Sequence, residues 1–211
     1  MSSRLEILLS QTKNWGGDSD SHALTIFSIA VSIGAKRILE LGVRDGNTTI
    51  PLLSAALENG GRLESVDKNR NYRGEVRDRL TQFFTSEELE SWTSWVRDAN
   101  EFLAMKAIQG DHCFDLVYID DWHSYDHVKE EFIHLDKLVS PSSIILVHDT
   151  MYANYQPHYH TDIAVREGQW ANGGPYRAVA ELDQNFWEFA TIPVNNGLTI
   201  VRKKYSKLYN V

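Results

Sequence analysis

Residues Asp115 to Tyr125 read DLVYIDDWHSY. Leu116, Val117, Tyr118 and Ile119 form an apolar run of the kind found in a strand buried on both faces. Asp120, Asp121, Trp122 and His123 follow at once. Leaving such carboxylates buried and unpaired is costly. The run therefore ends either at a solvated surface or against something cationic. Two carboxylates can share a divalent cation, and a nearby histidine can take a proton near neutral pH.

Other short apolar runs end in the same way. Glu40 and Gly42 close the first, Asp67 the second, Asp98 the third, and His148 with Asp149 the fifth. In an open parallel sheet, ligands bind beyond the carboxyl ends of the strands, so these residues share one rim. One acid at a strand end is ordinary helix capping; an acid from each of five strands makes a candidate site. The loop after the first run, ELGVRDGNTT, places Gly42 and Gly46 in a G-x-x-x-G spacing, with no lysine after it to hold a phosphate. Asp67 lies 25 residues beyond Gly42, where a carboxylate can accept both hydroxyls of a ribose. Loop and acid together point to a nucleoside ligand with little phosphate recognition.

The elements needed to position these residues alternate along the chain. Strands are expected at RILELG, RLESVD, WTSWVRD, FDLVYID and SIILVHDT, with Pro141 marking the turn before the last. Helices are expected from Asp20 or Ser21 to about Ile33, over NTTIPLLSAALENGG, from Arg70 to Phe84, over NEFLAMKAIQG, over SYDHVKEEFIHLDKLV and over PYRAVAELDQNF. WEFATIPVNNGLTIVRK reads as two strands around Asn195, Asn196 and Gly197. The alternation implies an α/β fold, a doubly wound and mostly parallel sheet of seven strands with an antiparallel terminal strand. Residues 1–34 read as an N-terminal helical extension and 35–211 as the ligand-binding domain, within one compact unit.

The 211 residues are 42% hydrophobic and 24% charged, which suits one domain with a full core. No apolar run is long enough to span a bilayer, and the N-terminus reads as an amphipathic helix rather than a signal peptide. A single cysteine, Cys113, allows no internal disulfide, so a reducing cytoplasm is the simplest setting. The net charge of −8 argues against a nucleic acid partner. Arg202, Lys203 and Lys204 read as a solvated end. Between Met151 and Gly174, a polar stretch rich in aromatics (Tyr152, Tyr155, Tyr159, Trp170) reads as a substrate lid, and its His158 and His160 form an H-x-H pair.

RILELGVRDGNTT, LESVD, VRDANEFL, DLVYIDDWHSYDHVKEE and IILVHDT together resemble the class I S-adenosylmethionine-dependent methyltransferases. More narrowly they are similar to metal-dependent small-molecule O-methyltransferases of the catechol O-methyltransferase type, and to macrolide-sugar O-methyltransferases and cephalosporin hydroxylase-like proteins. The resemblance covers roughly Ala35 to Lys203. It implies S-adenosylmethionine as cofactor, a Rossmann-like methyltransferase fold and a small-molecule acceptor. Glu40, Gly42 and Gly46 would then shape the pocket around the methionine part, and Thr48 would reach its carboxylate. Asp67 would hold the ribose, and Asp98, Ala99 and Asn100 would lie against the adenine. Asp120 and Asp149 would ligate a divalent cation. Thr150 stands where the family usually places an Asn or another oxygen ligand, and its hydroxyl is the poorer donor. His123 falls where the catechol enzymes carry a catalytic Lys.

Carboxylate oxygens select a hard cation, Mg2+, Mn2+ or Ca2+. Such an ion would lower the pKa of an acceptor hydroxyl, and His123 would remove its proton. Blander roles stand beside these. His123 could cap the next helix, Asp121 could be a solvated neighbour, Trp122 could simply pack in the cleft, and His127 and His134 could be surface or packing residues. A metal-independent methyltransferase, a non-methylating relative of the same fold and a nicotinamide-dependent oxidoreductase are the competing functions. An exposed N-terminal helix is compatible with a homodimer.

Overall fold

The computed structural model describes residues 4–14, 19–69, 72–110, 114–151 and 171–204. In chain order these form α1 (Arg4–Asn14), α2 (Ala23–Ser32), β1 (Arg37–Leu41), α3 (Thr49–Glu58), β2 (Arg62–Asp67), α4 (Tyr72–Leu80), β3 (Trp92–Val96), α5 (Ala99–Gln109), β4 (Phe114–Ile119), α6 (Tyr125–Leu138), β5 (Val139–His148), α7 (Gly174–Ala180), β6 (Trp187–Ile192) and β7 (Leu198–Lys203). The seven strands make one sheet in the order β3-β2-β1-β4-β5-β7-β6. The pairings from β3 through β5 are all parallel; β7 runs antiparallel to both β5 and β6. This is the expected doubly wound architecture. Strand order reverses between β1 and β4, so a crevice opens where their carboxyl ends meet.

Alternation along the strands builds two cores. Ile38, Leu63, Leu116, Tyr118 and Leu146 face one side, with Ile26, Ile50, Leu53 and Val76 from α2, α3 and α4. Leu39, Leu41, Val66, Val117, Ile119 and Val147 face the other, with Phe102, Val128, Phe132 and Val179 from α5, α6 and α7. Strands buried on both faces explain the unbroken apolar runs. Leu8 of α1 is fully buried in the first core. Gln11 donates through Nε2 to the Asn47 carbonyl (2.5 Å) and to Asp20 Oδ1 (3.2 Å), joining α1 to the loop after β1.

Four elements depart from expectation, the first being α4, which is expected to reach Phe84 and ends at Leu80. The turn expected at Pro141 lies inside β5: Val139 pairs with Phe114 and Ile144 with Leu116, so residues 140–143 bulge out opposite Asp115. The freed Ser140 N–H donates to Ser143 Oγ and the Ser142 N–H to Ser140 Oγ, and proline is tolerated where no ladder donor is needed. The helix expected to start at Asp20 or Ser21 begins at Ala23, after a 3₁₀ turn over Ser19–His22. The helix expected to reach Phe186 stops at Ala180, because Asp183 Oδ1 accepts the Asn185 N–H (2.8 Å) and holds the chain in a turn.

Candidate active site

Four side chains converge beyond the ends of β4 and β5. His123 Nε2 lies 3.1 Å from Asp120 Oδ1 and 3.0 Å from Asp149 Oδ2. His148 Nδ1 lies 3.4 Å from Asp120 Oδ1 and 3.3 Å from Asp149 Oδ1. The Tyr118 hydroxyl donates to Asp120 Oδ2 at 3.2 Å. Parallel pairing of β4 with β5 brings the two acids together: Ile119 sits opposite Val147, so the next residues of both strands reach the same end. Asp149 turns with φ 59°, a left-handed conformation that aspartate adopts more readily than most residues. The capping of α6 falls to Ser124, whose Oγ accepts the His127 N–H, and not to His123.

The cluster is nearly dry. The side chains of Asp149, His148, His123 and Asp120 are 5%, 1%, 13% and 19% exposed. Burial opposes charge on His123, yet the Asp149 and Asp120 carboxylates outweigh it and push its pKa up to about 10. Burial likewise opposes charge on Asp149, but His123 and His148 hold it well below the usual carboxylate range. His148 is raised against its burial by Asp120 and Asp149. The His123 imidazolium thus supplies positive charge that the two carboxylates need. Asp120, His148 and Asp149 also offer ligand atoms within 4.8 Å of one another, and neither ring nitrogen of His148 nor Asp149 Oδ1 has a well-formed hydrogen bond. One imidazole and two carboxylates with unused lone pairs fit a divalent cation.

A second group of residues lies under the loop after β1. Glu40 is fully buried, and its carboxyl group is met by the hydroxyls of Thr48 (2.7 Å), Thr49 (2.9 Å) and Ser65 (2.6 Å). Burial pushes its pKa up to about 7, against the lowering effect of those hydroxyls. Asp67 Oδ2 accepts the N–H groups of Val43 (3.0 Å) and Arg44 (3.1 Å), and Oδ1 accepts that of Asn69 (2.8 Å). Gly42 has φ 86°, and a Cβ there would sit 2.2 Å from the Asp120 carbonyl oxygen.

A model of a methyltransferase domain matches residues 39–150, more than half of the chain. The chain belongs to the methyltransferase-domain family. No curated protein matches it. Solved structures with the same fold include the O-methyltransferase TomG from Streptomyces achromogenes in complex with SAM, 18% identical, covering 97% of this chain and 91% of that one with a TM-score of 0.66. An O-methyltransferase from Bacillus cereus in complex with SAH is 17% identical, covering 97% and 92% with a TM-score of 0.67. A SAH-bound methyltransferase from Podospora anserina is 18% identical, covering 97% and 89% with a TM-score of 0.67.

In this methyltransferase-domain chain, the residues along the rim of the β1–β4 crevice divide into distinct structural roles. Gly42 makes room for the end of β4, and Gly46, with φ 77°, makes room for Val76 of α4 (2.9 Å from a Cβ). Both glycines let the loop pack closely against its neighbours. Glu40 and Thr48 are bonded to each other and pin the start of α3 to the sheet. Asp67 folds the loop around itself. Asp98 caps α5 by accepting the Asn100 and Glu101 N–H groups, with Ala99 buried behind it. Trp122 lies under the ammonium of Lys68, 4.1 Å from the ring centre, a contact that links the segments following β4 and β2.

Thr150 Oγ1 accepts the Thr199 hydroxyl at 2.6 Å, which ties it to β7. The third group placed to hold a cation is His148, which the sequence put at the rim without giving it a role. The readable signal was its position: β5 delivers His148 and Asp149 in succession. His22 was also missed; its ring packs edge-on against His148 at 5.5 Å. His127 was expected to be a surface or packing residue, yet it pairs with Asp121 at 2.7 Å. His158, His160, Tyr152, Tyr155, Tyr159, Trp170 and Cys113 lie outside the described residues. Among the described residues no helix is long and apolar enough to cross a membrane.

Proposed function

We propose that the protein methylates a hydroxyl group of a small molecule, assisted by a divalent cation held by Asp120, His148 and Asp149. The observation that carries this reading is the placement of His123 Nε2 within 3.1 Å of both carboxylates at the mouth of the cofactor crevice. When bound, the cation supplies Lewis acidity toward the acceptor hydroxyl and S-adenosylmethionine supplies the methyl group. The chain's own residues do the rest. Asp120 and Asp149 fix the acceptor oxygen's location, because that oxygen must lie beside them. His123 holds a proton on Nε2 while it neutralises these acids. With Asp120 and Asp149 occupied as ligands, the imidazole would not need its charge, and Nε2 would be the group that accepts the hydroxyl proton. Trp122 shields the crevice from water on the β2 side. Glu40 and Asp67 keep the loop after β1 rigid, so donor and acceptor are aligned before reaction, which is most of what methyl transfer requires.

A metal-independent reading has one observation in its favour: the His123 and His148 imidazoliums already satisfy the carboxylates. Removal of metal separates the two. Turnover of a catechol or sugar acceptor is expected to fall with EDTA and return with Mg2+ or Mn2+, while calorimetry shows S-adenosylhomocysteine binding unchanged. Asp149→Asn is expected to reproduce the EDTA result without rescue. Full turnover in EDTA would establish the metal-independent mechanism instead.

A further inference from the structure

The structure carries a second buried acid and histidine cluster, separate from the one above. Asp121, His127 and Glu131 offer three ligand atoms within 4.8 Å of one another. His127 Nε2 lies 2.7 Å from Asp121 Oδ2 and 3.6 Å from Glu131 Oε1. Ligands around a tetrahedral zinc ion stand roughly 3.3 Å apart, as bonds of about 2.0–2.1 Å require. The two observed separations bracket that value. His127 and Glu131 are four residues apart on the inner face of α6, and Asp121 reaches them from the end of β4.

Glu131 supplies the independent observation. It is 0% exposed, and neither carboxylate oxygen receives a hydrogen bond from a nitrogen or hydroxyl donor. Asp121 Oδ1 is buried in the same state. A fully buried glutamate aimed at a second carboxylate is costly unless a proton or a cation lies between them. Asp98 adds further negative potential from the start of α5. The site opens to solvent at Asp121 and His127, whose side chains are 16% and 13% exposed, so an ion can enter from that side.

We infer that Asp121, His127 and Glu131 form a second divalent-cation site, suited to a borderline ion such as Zn2+, that fastens the β4–α6 loop to α6. One imidazole and two carboxylates are a donor set that zinc accepts. The tautomer His127 would need is within reach. Asn100 Nδ2 is 3.2 Å from His127 Nδ1, and Asn100 Oδ1 has no partner. Rotating that amide brings Oδ1 to an Nδ1–H and leaves Nε2 to the ion, at the cost of the bond to the His127 carbonyl. An ion here would fix Asp121, and through the chain Trp122 and His123, without taking part in the chemistry.

Zn2+ titration by calorimetry tests this, using protein stripped with EDTA. Glu131→Gln and Asp121→Asn are each expected to bind one equivalent fewer than wild type, and Asp149→Asn to lose a different one. Glu131→Gln combined with Asp149→Asn should then lose two. Glu131→Gln keeps volume and burial, and retained S-adenosylhomocysteine binding certifies its fold. Zn2+ should also raise the melting temperature of Asp149→Asn but not that of the double variant. Unchanged stoichiometry in both Glu131→Gln and Asp121→Asn would overturn the proposal and leave a proton shared between the two acids.

Discussion

His123 and Asp149 are joined at 3.0 Å although 26 residues separate them, 149 minus 123, and they belong to different crossovers of the sheet. The contact exists because β4 and β5 are parallel neighbours in register. It puts the His123 imidazole beside an acid that the neighbouring histidines hold well below the usual carboxylate range.

Replacing His123 therefore separates chemistry from binding. His123→Ala is expected to lower turnover by about 10²–10⁴-fold, the usual worth of a general base. S-adenosylhomocysteine affinity should change little, because Asp67 and the loop after β1 are untouched. Steady-state rates and calorimetry on the same preparation check both halves. An equal loss of binding and rate would assign His123 a structural role.

Cation binding at Asp120, His148 and Asp149 should release protons. His123 and His148 hold theirs because the two carboxylates raise them, and an ion on those carboxylates removes that support. Titrating Mn2+ or Zn2+ in two buffers of different ionisation enthalpy should give different heats. Asp149→Asn should shrink the difference, and Asp149→Asn combined with Glu131→Gln should abolish it. Equal heats in both buffers would count against imidazolium as the resident counter-charge.

Glu40 makes stability depend on pH with a definite sign. Its folded pKa is about 7 against an ordinary 4.5, so the folded chain keeps a proton that the unfolded chain has lost. The stabilisation is fully present below pH 4.5 and is lost as the pH rises through 7, a change of roughly 3 kcal/mol. Glu40→Gln keeps the contacts and removes the titration. Relative to wild type it should gain stability between pH 5 and 8, by about that amount, in denaturant melts across that range. Parallel curves for the two proteins would show that Glu40 titrates normally.

Gly42→Ala should damage the site through the backbone. The added Cβ would meet the Asp120 carbonyl at 2.2 Å, and φ 86° is poorly tolerated by alanine. A loss of at least about 2 kcal/mol is expected, with weakened cofactor binding because the end of β4 must move. Gly60→Ala is the control: it shares a positive φ of 64°, but nothing lies within 4 Å of its Cβ. Equal melting temperatures for the two variants would dismiss the close approach as the cause.

The order of strands and helices was legible because strands buried on both faces need continuous apolar runs, and each helix between them shows its own period and caps. Thus β1 to β5 and the hairpin of β6 and β7 could be read directly. The bulge over residues 140–143 could not, since its serines are satisfied by one another only after β4 and β5 pair. The rim was legible for the same reason: the residue after each apolar run must emerge at the carboxyl edge. What each rim acid does was decided by its neighbours in space. Glu40 turns inward to three hydroxyls, Asp98 caps α5, Asp67 gathers the loop after β1, and Asp120 and Asp149 meet around His123. The sequence by itself determined which residues reach that edge, because the side-chain period and strand length are local properties. Only the tertiary structure decided that His148 completes one cluster and Glu131 another, because ligand sets depend on distances between strands and helices far apart in the chain.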